Sequence, residues 1–141
     1  MFGGVKITAA DKWFSLFIRF RDRWTCQMCK RHCPRRKFNN PDLPTAKLEC
    51  SHFFSRRHKA TRYDERNAET LCFQCHAWVE GHQTEREDRC KQKLGEFEFN
   101  KLLVLAKTPA RYLPPEKEIA ALFRKKVQAM AKKKGMLWLV K

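Results

Sequence analysis

Asn67-Ala68-Glu69-Thr70-Leu71-Cys72-Phe73-Gln74-Cys75-His76 is the stretch whose reading decides how this chain folds. It holds a Cys-x-x-Cys pair with a histidine directly after the second cysteine and an asparagine five residues before the first. A second such pair, Cys26 and Cys29, stands upstream, with 42 residues between Cys29 and Cys72. Thiols in two short clips are the signature of a structural zinc site: an all-thiolate, four-coordinate zinc has no open position for chemistry. The separation is long for a zinc ribbon and fits a pair of knuckles that closes a lobe around an inserted motif. In a small domain the metal-binding energy is then part of the folding energy. Cys33 lies four residues after Cys29 and offers an alternative ligand at the first knuckle.

The chain has 141 residues, a length that suits one domain with a helical extension. Its 31 Lys+Arg against 15 Asp+Glu give a net charge of +16. Self-repulsion on that scale opposes compaction and is usually tolerated because the partner is a polyanion, with nucleic acid the first candidate. The cations are dispersed along the chain rather than gathered beside one apolar helix face, which speaks against a membrane surface. Seven cysteines, four of them in clips, indicate metal in a reducing compartment rather than a disulfide framework. The opening residues lack the apolar core of a signal peptide, and no run approaches the ~18 apolar residues of a membrane span. A soluble protein of the cytoplasm is therefore expected.

Thr8 with Asp11 reads as a capping box heading a helix, along which Trp13, Phe14, Phe17, Ile18 and Phe20 recur at helical spacing. After the first knuckle, Lys30–Lys47 is rich in Pro, Asn and cations and reads as a basic loop. Ala46–Val79 reads as strand, long loop, strand and helix, the helix starting at Cys75 and ending near Gly81. A charged helical stretch follows, interrupted at Gly95, with Phe97, Leu102, Leu103, Leu105 and Ala106 as its apolar stripe. Beyond Pro109 and Pro114, Pro115 suits the first position of a final helix. Ile119, Leu122, Phe123, Val127 and Met130 form that helix's buried or partner-facing stripe, and Lys132–Lys134 its basic end. Leu137–Val140 is apolar enough to dock on the core. The expected organisation is an N-terminal helix over 1–25, a zinc-bound core over 26–90 and a helical extension over 91–141.

The pattern His52, Asn67, Leu71, Cys72, Cys75, His76 resembles the HNH, or His-Me finger, nucleases in their zinc-bearing branch. The two clips flanking His52 are similar to those of phage recombination endonuclease VII. The flanks add a closer likeness. Ala10-Asp11, Phe14-Ser15, Ile18-Arg19 and Arg21-Asp22 resemble the NinG (Rap) recombination proteins of lambdoid phages, as do Ser51-His52-Phe53, Ser55-Arg56 and Arg62-Tyr63-Asp64-Glu65 with Asn67. The likeness covers Ala10 to Arg86 well and the helical tail only loosely. It implies an α+β fold with a ββα-metal core embraced by N-terminal and C-terminal helices. It also implies a phage-encoded DNA endonuclease in a bacterial host, directed at branched DNA such as Holliday junctions. Zn2+ would be structural, and Mg2+ or Mn2+ catalytic. Within that likeness His52 is the general base, His76 ligates the catalytic metal and Asn67 orients the loop that carries His52.

Phosphodiester hydrolysis needs an activated water, charge stabilisation at phosphorus and help for the leaving oxygen, and histidines with a divalent metal supply these. One departure stands out. Many HNH enzymes carry an aspartate ligand immediately before the base, where this chain has Ser51, a poor ligand for a hard cation. Glu49 shares a strand face with Ser51. Glu80 lies one helical turn after His76. Either carboxylate is a substitute, and the shared helix favours Glu80. His58 and His82 are further histidines suited to the surface or to phosphates. Arg35, Arg36, Arg56, Arg57, Lys59 and Arg62 are the expected phosphate contacts, giving structure-selective binding with steep salt dependence. A homodimer through the Ile119–Met130 stripe would allow paired cuts. Two other readings remain: a non-catalytic, zinc-stabilised DNA-binding accessory of recombination, and a nuclease of phage DNA packaging or restriction.

Overall fold

The structure, a computed structural model, describes residues 5–32, 48–110 and 113–135. Cys33, Arg35, Arg36 and the Leu137–Val140 segment lie outside the described residues. Among the described residues the fold is α+β, with five helices and one two-stranded sheet.

Helix α1, Ala9–Arg21, begins where the sequence places it. The Thr8 hydroxyl accepts from Asp11 N–H at 3.2 Å, and the Asp11 carboxylate accepts from Thr8 N–H at 2.8 Å, completing a capping box. Phe14, Phe17, Ile18 and Phe20 are all buried, and Trp13 packs at the edge. Each such side chain withdrawn from water contributes roughly 1.5–3 kcal/mol.

Helix α5, Glu116–Lys133, lies against α1. Ile119, Phe123, Val127 and Ala131 are buried, and the Phe123 ring meets Phe14 edge-on at 5.0 Å and Phe17 at 5.4 Å. The apolar stripe proposed for dimerisation is thus covered by the chain's own first helix. Leu122, expected in that stripe, is 51% exposed. Pro115 sits at the N-cap, one residue earlier than expected. Its ψ of 147° is extended, and its carbonyl already accepts the first helical N–H groups.

Strands β1, Leu48–His52, and β2, Ala68–Cys72, pair antiparallel, with Glu49 opposite Leu71, Ser51 opposite Glu69 and His52 opposite Ala68. Alternation along the strands divides the ribbon. Leu48, Cys50 and His52 face α1, where Thr70 Oγ1 also donates to Ile18 O at 3.3 Å. Glu49, Ser51 and Glu69 face the other way, toward the helices that follow.

Helix α2, Phe73–Glu80, leaves β2 with no loop. It starts two residues before the expected Cys75 because the Cys72 thiol is itself the cap, accepting from Cys75 N–H at 3.5 Å. Gly81 closes it. Helices α3, Gln83–Leu94, and α4, Glu96–Ala106, are hinged at Gly95, whose φ of 83° belongs to the left-handed region that glycine adopts without strain. They enclose a second core of Phe53, Phe54, Cys90, Phe99, Leu102 and Ala106. Here Phe99 takes the inward position expected of Phe97, which is 74% exposed. Phe99, Leu102 and Ala106 fall at i, i+3 and i+7, so choosing Phe97 mistakes the helix face by half a turn. No helix among the described residues is long and apolar enough to cross a membrane.

Candidate metal centres and their surroundings

The first clip is a turn held by its own backbone. Cys29 N–H donates to Cys26 Sγ at 3.4 Å, Cys26 N–H to Arg31 O at 2.8 Å, and Lys30 closes the turn with a φ of 65°. A hydrogen bond from Gln27 N–H to Thr70 O, 2.9 Å, fastens this turn to the middle of β2. The second clip bridges the end of β2 and the first turn of α2. The clips therefore meet, and the four sulfurs of Cys26, Cys29, Cys72 and Cys75 all lie within 4.8 Å of one another.

The spacing of the sulfurs suits a tetrahedral metal. Sulfurs 2.3 Å from a central zinc are separated by about 3.8 Å, and Cys29 Sγ stands 3.8 Å from Cys72 Sγ. Burial raises the Cys26 thiol's pKa, but N–H donors of Cys29, Cys72 and Met28 outweigh it and bring the value down to about 7, favouring the thiolate. The six described cysteines all carry free thiols, so the cluster suits a structural metal such as zinc rather than disulfides.

The second grouping surrounds His76 on α2. Its Nδ1 is 2.7 Å from Glu49 Oε1, and its Nε2 is 3.2 Å from Glu80 Oε1. Glu49 arrives from β1 because Leu71 lies opposite it and α2 follows β2 directly; Glu80 arrives by the one-turn spacing. Both sequence-derived carboxylates thus reach His76, on opposite edges of its ring. A carboxylate only accepts, so Nδ1 must donate to Glu49, which leaves Nε2 facing Glu80. Ser51 is instead buried opposite Glu69, whose carboxylate takes both hydrogen bonds of Arg89.

Arg86 is the member of this grouping that no sequence pattern singles out. It is 8% exposed, reaches Glu80 Oε1 at 3.0 Å through Nη2, and its buried Nε has no hydrogen-bond partner. It lies six residues after Glu80, in the first half of α3, a position that matches no motif.

His52 sits elsewhere. Its ring stacks on Phe14 at 5.7 Å, and its Nε2 is 3.0 Å from Arg62 O. A carbonyl accepts, so Nε2 carries the proton and Nδ1 is the free base. Burial among α1 side chains pushes the His52 pKa down to about 4, with the Arg56 charge assisting. These contacts belong to the α1 face of the ribbon, whereas His76 meets Glu49 from the other. Asn67 is fully buried. Its side chain accepts from Phe54 N–H at 2.8 Å and donates to Phe54 O at 2.8 Å and Thr61 O at 3.0 Å. It thereby latches both ends of the 54–61 loop, upstream of the Arg62 carbonyl that holds His52.

Of the expected phosphate contacts, Arg57 and Lys59 are exposed and Arg56 is half-buried. Arg62 requires correction. It is 8% exposed; its Nε donates to Asp11 Oδ1 at 3.0 Å and its Nη2 to Lys6 O at 2.8 Å. Its charge is consumed inside the protein by a carboxylate 51 positions away. His58 Nδ1 donates to Ala106 O at 3.1 Å, and His82 stacks on Trp78 with centroids 3.9 Å apart.

Comparison with models of known protein families, with curated proteins and with solved structures finds no match for this chain.

Proposed function

We propose that this protein is a metal-dependent HNH endonuclease that hydrolyses DNA phosphodiester bonds, with branched DNA as its preferred substrate and a structural zinc at Cys26, Cys29, Cys72 and Cys75. The observation that carries this reading is His76 set between two carboxylates on a helix that follows an antiparallel hairpin directly. Imidazole nitrogen and carboxylate oxygen on one helix turn are donors suited to Mn2+ or Mg2+. In this reading His76 Nε2 and Glu80 hold the ion, while Glu49 fixes the imidazole tautomer through Nδ1. Such an ion, when bound, polarises the scissile phosphate and stabilises charge on the leaving oxygen. Arg86 keeps the Glu80 carboxylate in place. The net charge of +16 supports a polyanionic substrate.

A specific observation favours a second reading, a zinc-stabilised DNA-binding accessory without catalysis. A base that gains its proton only near pH 4 is weak at neutral pH, and His52 has its contacts with Phe14 and Arg62 rather than with His76. The test is direct. Zinc-loaded protein is incubated with supercoiled plasmid and with a synthetic four-way junction, plus Mn2+ or Mg2+, beside His76→Ala and His52→Ala. Cutting by wild type that both variants lose supports the hydrolase. Intact binding without cutting by wild type establishes the accessory reading. Paired cuts on a junction would require two chains meeting on a face other than the α5 stripe.

A further inference from the structure

An open basin of about 490 Å³ lies where the loop after β1 meets the C-terminal end of α4. Its walls carry Arg57 and Lys59 from the loop and Lys107 and Thr108 from beyond α4, and none of its lining residues is acidic. Arg57, Lys59 and Lys107 are exposed, and none forms an ion pair with any described residue. Many cations of this chain are unpaired; what sets these three apart is that they line one concavity with no carboxylate in its walls.

The basin is also built rather than incidental. The carbonyl end of a helix repels anions, yet His58 Nδ1 donates to Ala106 O at 3.1 Å and covers one of those carbonyls. The same histidine rests edge-on against Phe54, 6.3 Å away, and Phe54 and Ala106 belong to the second core. The two walls are thus fixed to one floor, and unpaired cations from distant parts of the sequence are held facing one concavity.

We propose that this basin is a phosphate-backbone site: it seats a phosphodiester segment of DNA apart from the Glu49–His76–Glu80 cluster, with which it shares no residue. The inference rests on nucleic acid being the partner, and it adds Lys107 and Thr108, in the helical extension, to the binding surface. The contact is to backbone and carries no sequence preference.

The test uses zinc-loaded full chain, no added Mg2+ or Mn2+, and a fluorescein-labelled DNA duplex read by anisotropy over a range of salt. The triple variant Arg57→Ala, Lys59→Ala, Lys107→Ala is compared with a charge-matched control, Lys12→Ala, Lys117→Ala, Lys125→Ala, whose side chains are exposed elsewhere. Near-ultraviolet circular dichroism confirms that both fold. Loss of three phosphate contacts should lower the slope of log affinity against log salt by roughly 2–3 and weaken binding by about tenfold or more, with the control near wild type. Unchanged affinity and slope in the basin triple, or an equal loss in the control, overturns the proposal. In the separate plasmid and junction assay with Mn2+ or Mg2+, wild-type protein that binds DNA without cutting it ends the hydrolase reading and leaves the basin standing. Wild-type cutting with unaltered binding by the basin triple does the reverse.

Discussion

His76 donates from Nδ1 to Glu49 Oε1 across 2.7 Å, and this bond turns the opposite ring nitrogen toward Glu80, 3.2 Å away. The two carboxylates therefore hold unequal posts. In zinc-loaded protein titrated with Mn2+, Glu80→Gln is expected to lose more affinity than Glu49→Gln. The latter should fall by about 10–100-fold, the usual effect of removing a partner that orients a ligand. The opposite ranking would make Glu49 the ligand.

The thiol cluster joins the turn after α1, the end of β2 and the start of α2. Elemental analysis should find about one zinc per chain. Cys72→Ser should unfold the domain, because it removes a thiolate from the cluster while the serine hydroxyl still caps α2. A Cys72→Ser protein with the wild-type melting temperature would refute the structural role.

Asn67 satisfies one buried N–H and two buried carbonyls around the 54–61 loop. Asn67→Ala strands these groups, at about 1–3 kcal/mol for each that finds no water. Urea unfolding should register a loss of several kcal/mol, and amide exchange at Phe54 should accelerate.

Arg62 and Asp11 form a buried pair with 10% and 7% side-chain exposure. Removing one partner leaves a buried charge alone, so Arg62→Ala should cost about 3–5 kcal/mol in denaturant unfolding. DNA affinity of the folded fraction should stay near wild type. A large loss of affinity with unchanged stability would return Arg62 to the DNA surface.

Acid should expose the burial of His52. Its folded pKa of about 4 lies below the ordinary 6.5, so between these values the unfolded chain binds a proton that the folded chain refuses. Stability therefore falls as pH drops from 6.5 toward 4, with a slope from this group of up to about 1.4 kcal/mol per pH unit. Asp11 adds to the loss at lower pH. Burial alone would raise its pKa, but hydrogen bonds from Arg62 and Thr8 hold it below the usual carboxylate range. Melting curves of His52→Gln should lack the first part of this slope.

The capping box at Thr8, the α1 stripe and the two clips were legible because each is written within a few residues of sequence. The approach of Glu80 to His76 followed from the helix period, whereas strand alternation put Glu49 only on the face of Ser51, and the pairing of Glu49 with Leu71 is what carries it to His76. The partnership of Arg62 with Asp11 was not legible, because only the tertiary fold brings residues 51 positions apart together. Phe97 misled for a different reason: an aromatic beside a glycine hinge looks inward in any count of apolar residues, and only the phase of the helix shows that Phe99 is the one buried. Arg86 and Lys107 carry no motif, and their roles arise from what stands across from them.

The thiol cluster also alters the connectivity of the molecule. With a metal bound, the chain from Cys29 to Cys72 becomes a ring closed by coordination rather than by a covalent bond. A single protease nick between Lys30 and Lys47 would open that ring without separating its pieces, since each fragment keeps one clip. Chelation would then leave the fragments joined only by packing such as that of α1 on α5, so a nicked molecule would report metal loss as weaker association of its two pieces.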